Sequence, residues 1–213
     1  MSTQNTTGTG CPHAPCGCST ANQHQLSTLS AGESIARFFR ELLRLLQVVG
    51  ALLKTANKTL RVNFIALYDP QSAVWNPALI QQLMKQVQDF YKKHKIEISY
   101  TIAQRAGLRS VESEQRLRPT GEHKNLFFVD QFSDCDNCTL RGYEYNKNVV
   151  VRYYEAANQP SSYLWTTIAH EIGHALNLPH GGSLDNLMHE MGPSSDQVSK
   201  VKLTICQVAK MKQ

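Results

Sequence analysis

The chain has 213 residues, of which 41% are hydrophobic and 18% are charged. This composition is typical of a globular protein and excludes a chain that is disordered throughout. The net charge of +5 is scattered along the sequence, so we expect no nucleic-acid partner. No apolar run reaches 18 residues, and the chain does not open with a charged region followed by an apolar one. We therefore expect neither a transmembrane helix nor a cleavable signal peptide, and the localisation stays open.

Residues 1–32 contain no lysine, arginine, aspartate or glutamate and are rich in small polar residues. Such a segment has little apolar surface to bury, so we expect a flexible tail. It carries Cys11, His13, Cys16 and Cys18 in the run C-P-H-A-P-C-G-C. Three interpretations stay open: a tail with exposed thiols, a metal-binding knot, and an inhibitory segment in which a thiolate occupies a metal site elsewhere in the chain.

Residues 33–58 are predicted to form an amphipathic helix and a linker. Charged residues recur every three or four positions over 33–54, and apolar residues occupy most of the positions between them. This periodicity is typical of a helix with a wide apolar face. The helix could pack on the following domain, lie on a membrane surface, or act as a partner or pro-segment helix.

From residue 59 to residue 213 the pattern predicts one mixed α/β domain. Runs of apolar residues, several of them alternating with polar ones, predict strands at 60–67, 96–102, 126–129, 140–145 and 149–154. Helices are predicted from Asn76-Pro77 to Tyr91, from about Ser162 to Leu176, and from Pro193-Ser194-Ser195 to about Lys210. Residues 104–124 are polar and are predicted to form a loop.

The second-last predicted element, the helix at 162–176, carries the residues that point to chemistry. His170 and His174 are four residues apart, so on a helix both imidazoles lie on one face and can reach one metal ion. Glu171 lies about 100° round the helix from His170 and could reach a water molecule on that ion. Three protein ligands and an open fourth position are the arrangement of a catalytic zinc.

A third ligand is available beyond the end of this helix. In a continuous helix His180 would lie about 9 Å further along the axis than His174, so the chain must turn back. Asn177 tolerates the left-handed conformation that ends many helices, and Pro179 prevents the helix from resuming. Asp185 and Glu190 are alternative third ligands, but His180 has the spacing and the helix stop in its favour.

These residues resemble the metzincin clan of zinc metallopeptidases. The clan motif is H-E-x-x-H-x-x-G-x-x-H with a methionine turn downstream. His170, Glu171, His174 and His180 match the motif position by position, and Asn177 replaces the usual glycine. Asn-Leu-Met, ending at Met188, resembles the methionine turn. His189 and Met191 are interpreted as packing or surface residues. The resemblance covers about 59–213, and it implies a metzincin-like fold: a mixed twisted sheet, a backing helix, an active-site helix and a short C-terminal subdomain ending in a helix.

The resemblance implies a zinc-dependent endopeptidase that acts on a protein or peptide substrate. One Zn²⁺ would be held by the three histidines, Glu171 would be the general base for a zinc-bound water, and Met188 would form an apolar floor. An edge strand would bind the substrate by strand addition, and the candidate residues are Gly142, Tyr143 and Glu144. We expect a monomer.

Two alternatives to a peptidase stay open. The chain could bind zinc without hydrolysis, which a fourth protein ligand such as His189 or a cysteine would favour. It could also be a membrane-interaction protein whose main contact is the 33–54 helix. Cys135 and Cys138 form a single C-x-x-C, which fits a disulfide, two free thiols or half of a metal site.

Overall fold

A computed structural model describes residues 31–112, 117–118, 123–134, 140–154, 160–190 and 198–213. The chain divides into two units, residues 1–46 and 47–213. The tail residues Cys11, His13, Cys16 and Cys18, the C-x-x-C pair and Met191 all lie outside the described residues.

The described residues form four α-helices and seven strands. In chain order these are α1 (Ala31–Ala56), β1 (Leu60–Tyr68), α2 (Pro77–Lys92), β2 (Ile96–Gln104), β3 (Ser110–Val111), β4 (Lys124–Val129), β5 (Gln131–Phe132), β6 (Gly142–Tyr145), β7 (Asn148–Arg152), α3 (Pro160–Ala175) and α4 (Ile205–Met211). The prediction of a mixed α/β fold is confirmed.

Helix α1 extends beyond the predicted 33–54 helix by two residues at each end. Its apolar side chains are exposed along the helix, including Phe38 at 64% and Leu46 at 57%. The roles proposed for this helix in the sequence analysis stay predictions. No helix among the described residues is both long enough and apolar enough to cross a membrane.

The main sheet has five strands in the order β2-β1-β4-β7-β6. Strands β2, β1, β4 and β7 are parallel to one another, and β6 pairs antiparallel with β7 at the edge of the sheet. The central strand β4 is buried on both faces, which explains why its sequence is continuously apolar from Leu126 to Val129.

Helices α2 and α3 cover one face of this sheet, where the larger part of the core lies. In β4, Leu126 and Phe128 point into that core, while Phe127 and Val129 point into a smaller cluster on the opposite face. The two helices also contact each other. The buried Tyr91 hydroxyl of α2 donates a 2.7 Å hydrogen bond to the Ala169 carbonyl of α3, just before the first predicted ligand. Helix α2 is therefore the predicted backing helix.

Two details of the predicted elements are wrong. The 104–124 loop contains β3, which pairs parallel with the short β5. The last helix does not run continuously to Lys210: the described part shows a 3-10 turn at Val198–Lys200, and α4 begins only at Ile205. Lys202 forms a β-bridge with Asn186, which keeps the chain extended there. Thr204 then caps α4, because its hydroxyl accepts from the Gln207 N–H. Pro193, Ser194 and Ser195 lie outside the described residues.

Candidate metal centre

The three predicted metal ligands are brought together at the end of α3. The Nε2 atom of His174 lies 3.0 Å from those of both His170 and His180, and the His170–His180 distance is 3.2 Å. Tetrahedral coordination with Zn–N bonds of about 2.05 Å requires nitrogens about 3.3 Å apart. The three atoms are therefore close to the spacing that one metal ion imposes.

Backbone carbonyls orient two of the imidazoles. His170 Nδ1 lies 2.7 Å from the Leu187 carbonyl, and His174 Nδ1 lies 2.7 Å from the Leu178 carbonyl. A carbonyl can only accept, so each Nδ1 carries the proton and each Nε2 presents a lone pair. Lone pairs that converge at 3.0 Å repel one another unless a cation lies between them. The donor set thus fits a metal ion.

The same two imidazoles are kept neutral. Burial lowers the pKa of His170 to about 4, and the neighbouring histidines act in the same direction. Burial also lowers the pKa of His174. Neutral imidazole is the form that binds a metal, so both side chains are available as ligands at neutral pH.

The chain reversal predicted at Asn177 is present. Asn177 has φ 71°, and its N–H donates to the His174 carbonyl at 2.8 Å. The Leu178 N–H donates to the Gly173 carbonyl at 2.9 Å, which completes the left-handed helix end. This turn reverses the chain, so that His180 lies beside His170 and His174.

Glu171 lies in a buried position beside this group, with 7% of its surface exposed. Burial raises its pKa to about 8, and the negative charge of Glu144 contributes to the rise. A cation bound by the histidines would act in the opposite direction, because it stabilises the carboxylate.

The edge strand β6 faces Glu171. An ideal Cβ atom on Gly142 would lie 3.1 Å from Glu171 Cγ and 2.8 Å from the Val150 carbonyl oxygen. Glu144 lies on the same face as Gly142, because side chains alternate along a strand. Tyr143 lies on the other face and packs against Phe132. Of the three candidate substrate residues, the structure places Gly142 and Glu144 on the face towards Glu171 and turns the Tyr143 side chain away.

Met188 lies in the core near α3. Its side chain is fully buried, and its carbonyl accepts from the Gly181 N–H at 2.8 Å. Of the alternative third ligands, Asp185 instead forms an ion pair with Lys202 at 2.5 Å and Glu190 is exposed. His189 is half-buried, and its proximity helps to lower the pKa of His170. Among the described residues, the group that could hold a metal consists of His170, His174 and His180 alone.

Sequence reasoning missed four residues that contribute to this site. The carbonyls of Leu178 and Leu187 leave no signal in a sequence, because every residue has a carbonyl. Gly173 did leave a signal, since a glycine inside a helix often marks a close approach. The contact between Lys147 and Asn177 joins elements 30 residues apart, so no local pattern indicates it.

No family model and no curated protein matches this chain. Similar solved structures include archaemetzincin from Methanopyrus kandleri, with 13% identity and a TM-score of 0.43 over 67% of this chain and 85% of that one. A zinc-dependent peptidase from Methanocorpusculum labreanum shares 14% identity, with a TM-score of 0.47 over 69% of this chain and 99% of that one. Metalloproteinase-II from Bacteroides fragilis shares 14% identity, with a TM-score of 0.44 over 68% of this chain and 54% of that one. Similarities this distant assign no function to the chain.

Proposed function

We propose that the chain is a zinc metalloendopeptidase that hydrolyses peptide bonds in a protein or peptide substrate. The observation that carries the proposal is the convergence of three imidazole Nε2 atoms beside a buried glutamate. His170, His174 and His180 would hold the metal, and Glu171 occupies the next helical position after the first ligand.

Zinc fits this donor set. Neutral imidazoles suit zinc, and three protein ligands with a fourth position open are typical of catalytic zinc sites. A structural site would close the fourth position with another protein ligand, but no fourth His, Cys, Asp or Glu joins the three within the part of the chain that the structure describes. When bound, zinc would lower the pKa of a water ligand and polarise the substrate carbonyl.

Glu171 is the proposed general base. In its ionised form one carboxylate oxygen accepts a proton from the attacking water, and the resulting carboxylic acid donates it to the departing amine. Burial raises the pKa of Glu171 above that of an ordinary carboxyl group, and a bound cation would oppose this rise. A base whose pKa lies near the working pH can both accept the proton and release it again. Burial also excludes competing bulk water from the carboxyl group.

Strand β6 is the proposed substrate-binding edge. Among the described residues it is the outermost strand of the main sheet, beyond β7. An extended peptide can pair with such an edge through main-chain hydrogen bonds. Because Gly142 abuts Glu171, a peptide on β6 passes close to the proposed base.

Cleavage of a peptide library by the purified full chain tests the proposal, with zinc quantified in each sample. Glu171→Gln removes the proton acceptor and nearly preserves the shape, so it should retain zinc and lose cleavage about 100-fold or more. Glu112→Gln, at an exposed surface position, is the matched control and should cleave at the wild-type rate. A wild-type protein that binds stoichiometric zinc and cleaves nothing would instead indicate a non-hydrolytic zinc-binding protein. Cleavage retained in Glu171→Gln would remove Glu171 from the base role.

A further inference from the structure

A polar link joins the β6–β7 hairpin to the chain reversal after α3. The Lys147 ammonium donates to the Asn177 side-chain oxygen, and the Lys147 backbone N–H donates to the Glu144 carboxylate. Asn146 and Lys147 have φ values of 50° and 65°. These two residues are the centre of the tight turn between the strands, where positive φ at both positions matches the strand twist.

The contact gives a reason for asparagine at position 177. Glycine reaches positive φ with less strain and is the residue that the H-E-x-x-H-x-x-G-x-x-H pattern has there. Glycine, however, has no side-chain acceptor. Asparagine combines tolerance of the left-handed region with a carbonyl oxygen that can accept from an ammonium group.

We infer that Lys147 and Asn177 are positioning residues that hold the β6–β7 hairpin in a fixed place relative to the turn leading to His180. The effect on substrate rests on the proposed function, in which β6 binds the peptide. The histidines and Glu171 lie on α3 and its extension, whereas Gly142 and Glu144 lie on the hairpin. Loss of the link therefore moves the substrate-binding edge and leaves the metal ligands in place.

The solvent exposure of the Lys147–Asn177 contact determines how much its loss changes substrate binding. Lys147 and Asn177 line an open cavity of about 360 Å³, together with Asn63, Lys124 and other residues. Water in this cavity competes for both groups, so the contact contributes far less than a buried one. We expect effects of about threefold to tenfold.

A double-mutant cycle on the zinc-loaded full chain tests the inference. Lys147→Met removes the donor and keeps most of the aliphatic stem, while Asn177→Gly removes the acceptor and keeps the turn. Each variant should raise KM about fivefold, with kcat and zinc content within twofold of wild type. The KM of the double variant should be no higher than that of either single variant. The KM of Lys147→Arg should stay close to the wild-type value. Lys85→Met, at an exposed position of α2, is the control and should change nothing.

Hydrogen exchange provides a readout that does not depend on catalysis. Amides of residues 142–152 should exchange about fivefold faster in Lys147→Met and in Asn177→Gly, and not faster still in the double variant. Multiplicative effects in the double variant, or an Asn177→Gly protein with unchanged exchange and KM, would overturn the inference. If the wild type cleaves no peptide while the exchange results hold, the proposed function fails and the positioning role survives without its effect on substrate.

Discussion

The sulfur atom of Met188 lies 2.5 Å from where a Cβ atom on Gly173 would stand. Glycine at this helical position therefore admits the methionine side chain against the helix between the two ligand residues. Tyr91 closes the same space, with its hydroxyl oxygen 3.5 Å from that position. Glycine lowers the stability of the helix at this position, but it allows the close packing beside the proposed metal ligands.

Gly173→Ala should destabilise the protein despite the higher helix propensity of alanine. Met188 is fully buried, so its sulfur cannot move into solvent, and overpacking of this kind costs about 1–3 kcal/mol. Urea unfolding of the zinc-free protein measures the change. Gly50→Ala in α1, where an added Cβ meets nothing within 4 Å, is the control and should be neutral or stabilising. A Gly173→Ala protein as stable as wild type would show that Met188 repacks freely.

Gly142→Ala should impair catalysis without removing the metal. Its Cβ would lie 2.8 Å from the Val150 carbonyl oxygen, which is backbone of the paired strand, and 3.1 Å from Glu171 Cγ. The strand or the glutamate must shift, and misplacement of a reacting group costs about 10- to 100-fold in rate. Peptide cleavage assayed at matched zinc content checks this. Zinc loss in proportion to the loss of activity would place the damage at the ligands instead.

His180→Ala should lower zinc occupancy as severely as His170→Ala or His174→Ala. All three Nε2 atoms converge at about the spacing of one metal ion, so each removal leaves two protein ligands. Excess zinc should raise the Tm of the wild type, since a ligand at 100 times its Kd stabilises by about 2.7 kcal/mol. Calorimetry with and without zinc should show little shift in the three variants. Normal zinc content in His180→Ala would move the third-ligand assignment elsewhere.

Asn177→Val should weaken zinc binding through backbone strain. Asn177 has φ 71°, and a β-branched residue there costs roughly 1–3 kcal/mol if the turn is kept. If the turn is not kept, His180 moves away from the other two ligands. Zinc affinity of Asn177→Val should fall below that of Asn177→Gly, which keeps the turn without strain. Equal affinities in these two variants would show that the ligand set does not depend on this conformation.

Asp69→Asn should destabilise the fold away from the metal centre. The Asp69 carboxylate accepts from the N–H groups of Gln71, Gly107 and Leu108, and it joins the loops that follow β1 and β2. Burial acts to raise its pKa, but these donors outweigh burial and the pKa lies below its ordinary value of 3.8. The amide leaves at least one donor unpaired, which costs about 1–3 kcal/mol.

The sign of the pH dependence follows from the lowered pKa of Asp69. The folded state binds a proton less readily than the unfolded state, so the carboxylate stabilises the fold fully above pH 3.8. This contribution is lost as the pH falls through the folded-state pKa. The gap in unfolding free energy between the wild type and Asp69→Asn should thus be constant near neutrality and narrow below pH 3.8. A gap that is unchanged in acid would exclude the carboxylate as its source.

Features that depend on nearby residues could be predicted from the sequence. The spacing of His170 and His174 and the stop at Asn177 gave the ligand group, and apolar runs gave the five strands of the main sheet. Features that depend on tertiary partners could not. The late start of α4 follows from the bridge between Lys202 and Asn186, and the two-residue strands β3 and β5 exist only because they pair with each other. No local pattern encodes such pairings.

All three proposed ligands lie within residues 170–180, although the sheet that supports them joins segments far apart in the chain. An unfolded chain keeps three imidazoles that close in sequence within reach of one ion, so it retains some affinity for zinc. Zinc that binds before the parallel strands have assembled stabilises the unfolded chain as well as the native protein. The stabilisation that zinc provides is therefore smaller than its affinity for the native protein implies, and refolding is best begun without the metal.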